Sequence, residues 1–208
     1  MEEIIFATNN GHKLEEVQAI LSDRFRLLTL RECGITEDVP ETQPTIEGNA
    51  LQKARYVNGK TGRDCFADDT GLEVYALGGA PGVHSARYAT DGHDFAANVT
   101  LLLKNLEGAE DRRARFRTVI ALIIGGREYT FEGIIEGVIT PTAAGCGGLR
   151  YDPLFVPAGY GANVGQTSPE LKNSISRPAL AGRARRGFPH SPPGGWSRGS
   201  FAGVFLRA

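Results

Sequence analysis

The stretch that most restricts what this chain can fold into is Phe66 to Ala89, FADDTGLEVYALGGAPGVHSARYA. A short apolar run ends on two adjacent carboxylates, Asp68 and Asp69, and a Thr70-Gly71 turn leads into a second apolar run. A Gly-Gly-Ala-Pro-Gly loop and the polar cluster His84, Ser85 and Arg87 follow. Two carboxylates leaving a buried strand together repel one another unless a cation shares them, and a hard divalent ion such as Mg2+ meets that need. The alternative is that Asp68 and Asp69 only cap the turn made by Thr70 and Gly71.

Upstream, Ile4 to Ala7 is a compact apolar run of the kind a buried strand shows. The polar hexad Thr8-Asn9-Asn10-Gly11-His12-Lys13 follows, and Leu14, Val17, Ile20 and Leu21 then recur at helical spacing. The hexad is therefore a strand-to-helix turn, where backbone N–H groups, the Thr8 and Asn10 side chains and the Lys13 ammonium can hold phosphate oxygens. A plain N-cap with a solvated lysine is the other reading. The glycine pattern of a Walker loop is missing. Arg26 to Leu30 reads as a second strand, and Asp38 to Gln43 as an acidic loop with Glu41 at its centre. Thr45 to Lys60 reads as a helix with Leu51, Ala54 and Val57 on one face and Lys53 on the other; Asp64 to Ala67 is the strand that delivers Asp68 and Asp69. His93 to Leu106 has a core stripe of Phe95, Val99, Leu102, Leu103 and Leu106. Arg112 to Ile124 and Arg127 to Thr140 are strand-rich runs joined by the hairpin signal Gly125-Gly126, suited to sheet and dimer surface.

With 208 residues the chain can bury one sizeable domain, or a domain with a smaller lobe. The formal charge of -1 gives no general attraction to nucleic acid or anionic membranes, but it hides an asymmetry. Six of the 23 basic residues lie from Arg177 onward, where there are no acids, so the preceding 17 face all 24 acidic residues, a formal -7. Such a body needs metal ions and placed lysines to accept an anionic substrate. The six arginines of the tail lack patterned aromatics, so nucleic acid is not the expected partner. Cys33, Cys65 and Cys146 are odd in number and widely spaced, which implies reduced thiols, and the acidic amino terminus carries an apolar run too short for a signal peptide or membrane span. Both point to the cytoplasm.

TNNGHK, VPET around Glu41, TIEGNALQKA from Thr45 to Ala54, FADDTGLEV and GGAPGVHSARYA resemble, in order and at natural spacing, the successive motifs of the inosine triphosphate pyrophosphatase family. The resemblance implies an α/β fold of two lobes around a long mixed β-sheet with flanking helices and a nucleotide cleft between the lobes. It also implies a homodimer and Mg2+-dependent release of pyrophosphate from ITP, dITP and XTP. Carried over position by position, Thr8, Asn10 and Lys13, with Asn9, Gly11 and His12 between them, match phosphate-binding residues. Glu41 matches a metal ligand, Lys53 a phosphate contact, and Asp68 a site carboxylate supporting the metal. Asp69 matches the proton acceptor that also meets the metal, and Thr70 a substrate contact. Ser85 and Arg87 match polar groups lining the cleft. The likeness defines a domain over residues 1–176; residues 177–208, rich in Arg, Gly and Pro without a helical or strand period, form an expected mobile tail.

This chain departs from the family at the base-reading positions. Where relatives show Phe-Gly-Tyr-Asp or Phe-Gly-Trp-Asp, it has Leu149, Arg150, Tyr151 and Asp152. Leu149 keeps apolar surface but loses a purine stack worth about 1–3 kcal/mol. Lys172 matches a phosphate or base contact, but Ser176 is followed by Arg177 and Pro178 instead of His-Arg, leaving Arg177 as the available guanidinium. The expectation is a working phosphate and metal site with weakened base selectivity. The alternative is a nucleotide-binding protein with impaired or no turnover.

Overall fold

The computed structural model describes residues 2–21, 25–145 and 151–166, and every structural statement below concerns these. Six strands, β1 (Glu2–Phe6), β2 (Phe25–Leu28), β3 (Cys65–Val74), β4 (Arg113–Ile124), β5 (Arg127–Ile139) and β6 (Phe155–Pro157), form one mixed sheet in the order β2-β1-β3-β4-β5-β6. β1 runs parallel to both β2 and β3, whereas β5 and β6 are antiparallel. Three helices, α1 (Gly11–Leu21), α2 (Ile46–Thr61) and α3 (Phe95–Asn105), complete the α/β fold expected. The hairpin between β4 and β5 is closed by Gly125 and Gly126, both at positive φ, as a two-residue turn requires.

The described chain falls into two compact units. The first holds the residues up to Asp69 together with Thr118–Gly133, and the second holds Thr70–Arg117 and the described residues from Ile134 on. Each has its own apolar core. In the first, Ile4, Phe6, Phe25, Leu27 and Phe66 pack with Ile120, Leu122 and Ile124, and Leu14 and Val17 of α1 close over them. In the second, Leu72, Val74, Leu102, Leu106, Ile139, Tyr151, Leu154 and Phe155 form the cluster. The side chains of Ile20 and Leu21 lie outside the described residues.

Strand alternation in the first unit assigns each helix a face. Successive strand residues point to opposite sides of a sheet. Ile4, Phe6 and Phe66 share the core with α1, and the Phe6 and Phe66 rings stack with centroids 4.4 Å apart. The intervening residues face α2, where the Cys65 thiol donates to the Ala54 carbonyl at 3.2 Å. Cys65, Ala67, Ala50 and Ala54 are all fully buried, and their small volume lets α2 approach β3 closely. In that packed position the Cys65 thiol is pushed up to about 12, by burial first and by Asp64 second. β1 leads through α1 to β2 on one side, and the chain then returns from β2 through α2 to β3 on the other side of β1. In open parallel sheets that switch point, at the carboxyl ends of the strands, is where ligands bind.

Two expectations from the sequence change. Thr70 and Gly71 do not make a turn; β3 runs unbroken from Cys65 to Val74, so Asp68 and Asp69 are not turn caps. The buried face of α2 is also different. It comprises Ile46, Asn49, Ala50, Lys53, Ala54 and Val57, while Leu51 is only half-buried, so Lys53 lies inside the stripe and not opposite it. The helix starts at an N-cap Thr45, whose hydroxyl accepts from the Gly48 amide at 2.9 Å, and stops at Gly62 in the left-handed region, φ 64°.

Because Ala54 has no room to grow toward β3, Ala54→Leu is expected to destabilise the protein by about 2 kcal/mol or more through overpacking. Urea unfolding of the variant against the parent measures this; an unchanged midpoint would contradict the close approach of α2.

Candidate active site

The first unit contributes to the site from the loop after β1 and the start of α1, from the loop that bears Glu41, from α2, and from the middle of β3, where Asp68 and Asp69 follow the residues paired with the end of β1. After β1, the Thr8 hydroxyl accepts from the Asn10 amide at 3.1 Å, and the Asn10 side chain accepts from the Lys13 amide at 3.2 Å. Asn10 is thus the N-cap of α1, as the plainer reading of the hexad has it. Asn9, Asn10 and Gly11 are exposed, at a helix start whose first amides have no partners within the helix. Lys13 is only partly exposed, and its ammonium donates to Asp68 Oδ2 at 2.5 Å.

Glu41 reaches the site because its loop is fastened to α2. The Thr42 amide donates to Gln52 Oε1 and the Gln52 amide group donates back to the Thr42 hydroxyl, both at 2.9 Å. The Gln43 amide donates to Asn49 Oδ1, also at 2.9 Å. Next to these, Lys53 Nζ donates to Glu41 Oε1 at 2.7 Å and stands 3.7 Å from Asp69 Oδ1. Asn49 Nδ2 donates to Asp69 Oδ2 at 3.3 Å. Lys53 is only 7 % exposed and Asn49 3 %.

Adjacent on one strand, Asp68 and Asp69 point to opposite faces, and each meets a lysine from the helix on its own side: Lys13 of α1 for Asp68, Lys53 of α2 for Asp69. Three carboxylates and two ammonium groups leave this cluster formally one negative charge in excess. The imbalance is visible in both partners. Burial raises the Asp69 carboxyl above its usual range, Glu41 and Asp68 add to the rise, and Lys53 and Asn49 oppose it. Burial also works against the Lys53 ammonium, but Asp69, Asp68 and Glu41 together outweigh it and raise the pKa, so Lys53 stays protonated.

Among the described residues no three His, Cys, Asp or Glu side chains are grouped so as to hold a metal alone. Lys53 stands between Glu41 and Asp69 instead. The donor chemistry nonetheless suits Mg2+. That ion takes oxygen ligands only, and it is usually held by one or two carboxylates while substrate phosphates and water fill the other positions. Glu41 and Asp69 supply two carboxylates around one cation, in a cluster with negative charge to spare.

In the second unit, Thr70 is half-buried in β3 and Arg87 is exposed. Ser85 is buried, and its hydroxyl accepts from the Leu72 amide at 2.8 Å and donates to the Gly82 carbonyl at 2.6 Å. Tyr151, expected among the substrate contacts, is completely buried and donates its hydroxyl to the Ser85 carbonyl at 3.1 Å, so it braces this loop from inside. Asp152 is half-buried, and its carbonyl accepts from the Gly165 amide at 2.9 Å. The side chain of His12, residues Leu149, Arg150, Lys172 and Arg177, and the tail 177–208 lie outside the described residues. The sequence reading missed Asn49 and Gln52. The available signal was spacing: both fall one helical turn ahead of Lys53 or beside it, within TIEGNALQKA.

The family model described as the Ham1 family matches residues 4–186. A dITP/XTP pyrophosphatase of Porphyromonas gingivalis is 50% identical over 189 residues, 90% of this chain and 97% of the relative. One from Flavobacterium johnsoniae is 47% identical over 172 residues, 83% of this chain and 90% of the relative. Among solved structures, the Staphylococcus aureus Ham1 protein superposes with a TM-score of 0.81 at 36% identity, covering 86% of this chain and 94% of that one. A nucleoside-triphosphatase / dITP/XTP pyrophosphatase of Mycobacterium abscessus gives 0.78 at 40% identity, with 86% and 96% covered.

Removing the shared ammonium leaves the acids of α2's face without a partner. Lys53→Met is expected to cost about 2–3 kcal/mol at neutral pH, below the roughly 3–5 of a fully enclosed pair because Glu41 is partly solvated. A carboxyl whose folded pKa is raised is favoured in its protonated form, so the deficit should shrink as pH falls through the carboxylate range and be complete above it. Denaturant unfolding of variant and parent from pH 4 to 8 tests this; a deficit independent of pH would mean Lys53 contributes only packing.

Proposed function

Because this chain belongs to the Ham1 family, we propose that it is a dITP/XTP pyrophosphatase, a hydrolase that converts a purine nucleoside triphosphate to the monophosphate and pyrophosphate. The observation that carries the reading is the convergence of Glu41 and Asp69 on Lys53 at the middle of β3, with Asp68, the preceding residue of the strand, paired to Lys13 of α1.

Phosphoryl chemistry of this kind needs charge neutralisation along the triphosphate and an oriented water, and little covalent work from the protein. Lys13 and Lys53 are each engaged by a carboxylate oxygen, and a phosphate oxygen can take that place on the same ammonium. The start of α1 offers amides to the same anion. Asp69 accepts the proton of the water whose oxygen attacks the α-phosphorus; the bond from that phosphorus to the bridging oxygen breaks and pyrophosphate leaves with its electron pair. Burial and the neighbouring acids raise the proton affinity of Asp69, which suits that task. Glu41 and Asp69, with Asp68 near them, would hold Mg2+, which when bound would supply further charge neutralisation at the phosphate oxygens and a lowered water pKa.

The same proposal includes a homodimer in the cytoplasm. It is supported by the exposed apolar side chains Tyr75, Ile134, Val138 and Tyr160 of the second unit, and by free thiols at Cys33 and Cys65. No described helix is long and apolar enough to cross a membrane.

Pyrophosphate release measured on dITP, XTP, ITP and ATP is expected to be faster for the first three, to stop with a chelator and to return with Mg2+. Asp69→Asn should lower turnover by about 100-fold or more, the usual worth of a general base. A variant as active as its parent would refute the assignment of Asp69, and a protein inert toward all four nucleotides would refute the function.

A further inference from the structure

A buried asparagine on the core face of a helix needs a reason, and Asn49, which shares the buried stripe of α2 with Lys53, is used in both directions. Its only described neighbours in hydrogen-bond range are a group that can only donate and one that accepts: the Gln43 amide at 2.9 Å from Oδ1, and Asp69 Oδ2 at 3.3 Å from Nδ2. Because a backbone N–H cannot accept, the side-chain oxygen must face Gln43, and the NH2 group is thereby aimed at Asp69. Neither end can be turned over without placing donor against donor and acceptor against acceptor.

Resting on the reaction assigned above, we propose that Asn49 is a positioning residue that fixes the rotation of the Asp69 carboxylate, so that one oxygen faces Asn49 and the other faces Lys53. The two oxygens of Asp69 then have different partners: Oδ2 meets Asn49 and Oδ1 lies 3.7 Å from Lys53 Nζ. An aspartate has a short side chain whose terminal torsion is broad, so without such a partner the carboxylate can rotate among orientations of similar energy. A base that must meet a water in line with a breaking bond loses rate steeply when it is displaced.

The loop that bears Glu41 does not depend on Asn49 alone. Gln52 ties Thr42 in both directions from the same helix. Deleting the Asn49 side chain therefore leaves the loop fastened at Thr42 but frees Asp69. This separates the positioning role from a structural one, in which Asn49 serves only to satisfy the Gln43 amide. Asn49→Asp keeps an acceptor for Gln43 and replaces the donor facing Asp69 by a second carboxylate. Asn49→Ala removes both contacts.

The test measures kcat and KM for dITP hydrolysis with Mg2+, for the parent, Asn49→Ala and Asn49→Asp, with each variant's folding checked by its thermal melt. The expected result is a kcat about tenfold lower for Asn49→Ala and about a hundredfold lower for Asn49→Asp, with KM within about threefold of the parent. Should one variant fail to fold, the split between kcat and KM in the other decides. An Asn49→Asp protein with the parent's kcat overturns the proposal, as does a loss confined to KM, since either leaves Asn49 a structural tie. Those results differ from failure of the reaction itself, where the parent protein releases no pyrophosphate and the assignment of Asn49 falls with it.

Discussion

The Lys53 ammonium, buried on the core face of α2 between Glu41 and Asp69, is the interaction on which the rest of this site depends. A lysine in that place is costly to desolvate, and only acids brought to it from distant parts of the chain offset the cost. One comes from a loop upstream of the helix and the other from the strand after it, so α2 cannot dock fully until both have arrived. Assembly of the charged cluster and packing of the helix therefore support one another. This also accounts for the small side chains around Lys53: Ala50, Ala54 and Ala67 bring the helix axis close enough for a lysine stem to lie along the sheet with its charge beside Asp69.

The repulsion between two neighbouring aspartates is managed by the pleat of β3. Instead of sharing one cation they are parted to opposite faces and each is given its own, Lys13 from α1 and Lys53 from α2. What this leaves is a cluster one charge short of neutrality, with Asp69 the member in which the shortfall is felt, since burial and Glu41 both raise its carboxyl. A highly charged anion approaching such a cluster needs the two lysines to let go of their carboxylates and a further cation to compensate.

The α/β class, the places of the three described helices and the β4–β5 hairpin were legible in the sequence, because apolar spacing and the Gly125-Gly126 pair report local structure directly, whereas the members of the charged cluster were carried over from the family resemblance. Lys53 was placed on the wrong face because a hydrophobic template counts every lysine as solvent-facing; only the acids at 41 and 69, remote in sequence, make its burial tolerable. Thr70-Gly71 read as a turn because glycine interrupts the strand pattern, yet here the glycine is carried within a ten-residue strand. Asn49 went unnoticed for the same reason as Lys53, since its partners are set by tertiary structure. Ser85 and Tyr151 carry polar groups that suggest a ligand, but in the structure both hydroxyls bond to backbone, that of Ser85 at Leu72 and Gly82 and that of Tyr151 at the Ser85 carbonyl.

The parity of β3 has a further consequence for how this chain can vary in length. Adding or deleting a single residue between Cys65 and Asp68 would turn each aspartate to the other side of the sheet, presenting the α2 lysine with the wrong acid and the α1 lysine with the other. No small adjustment lies between the two arrangements. Changes of length around this site can therefore be absorbed only in the connections outside the strands, and within β3 only in steps of two.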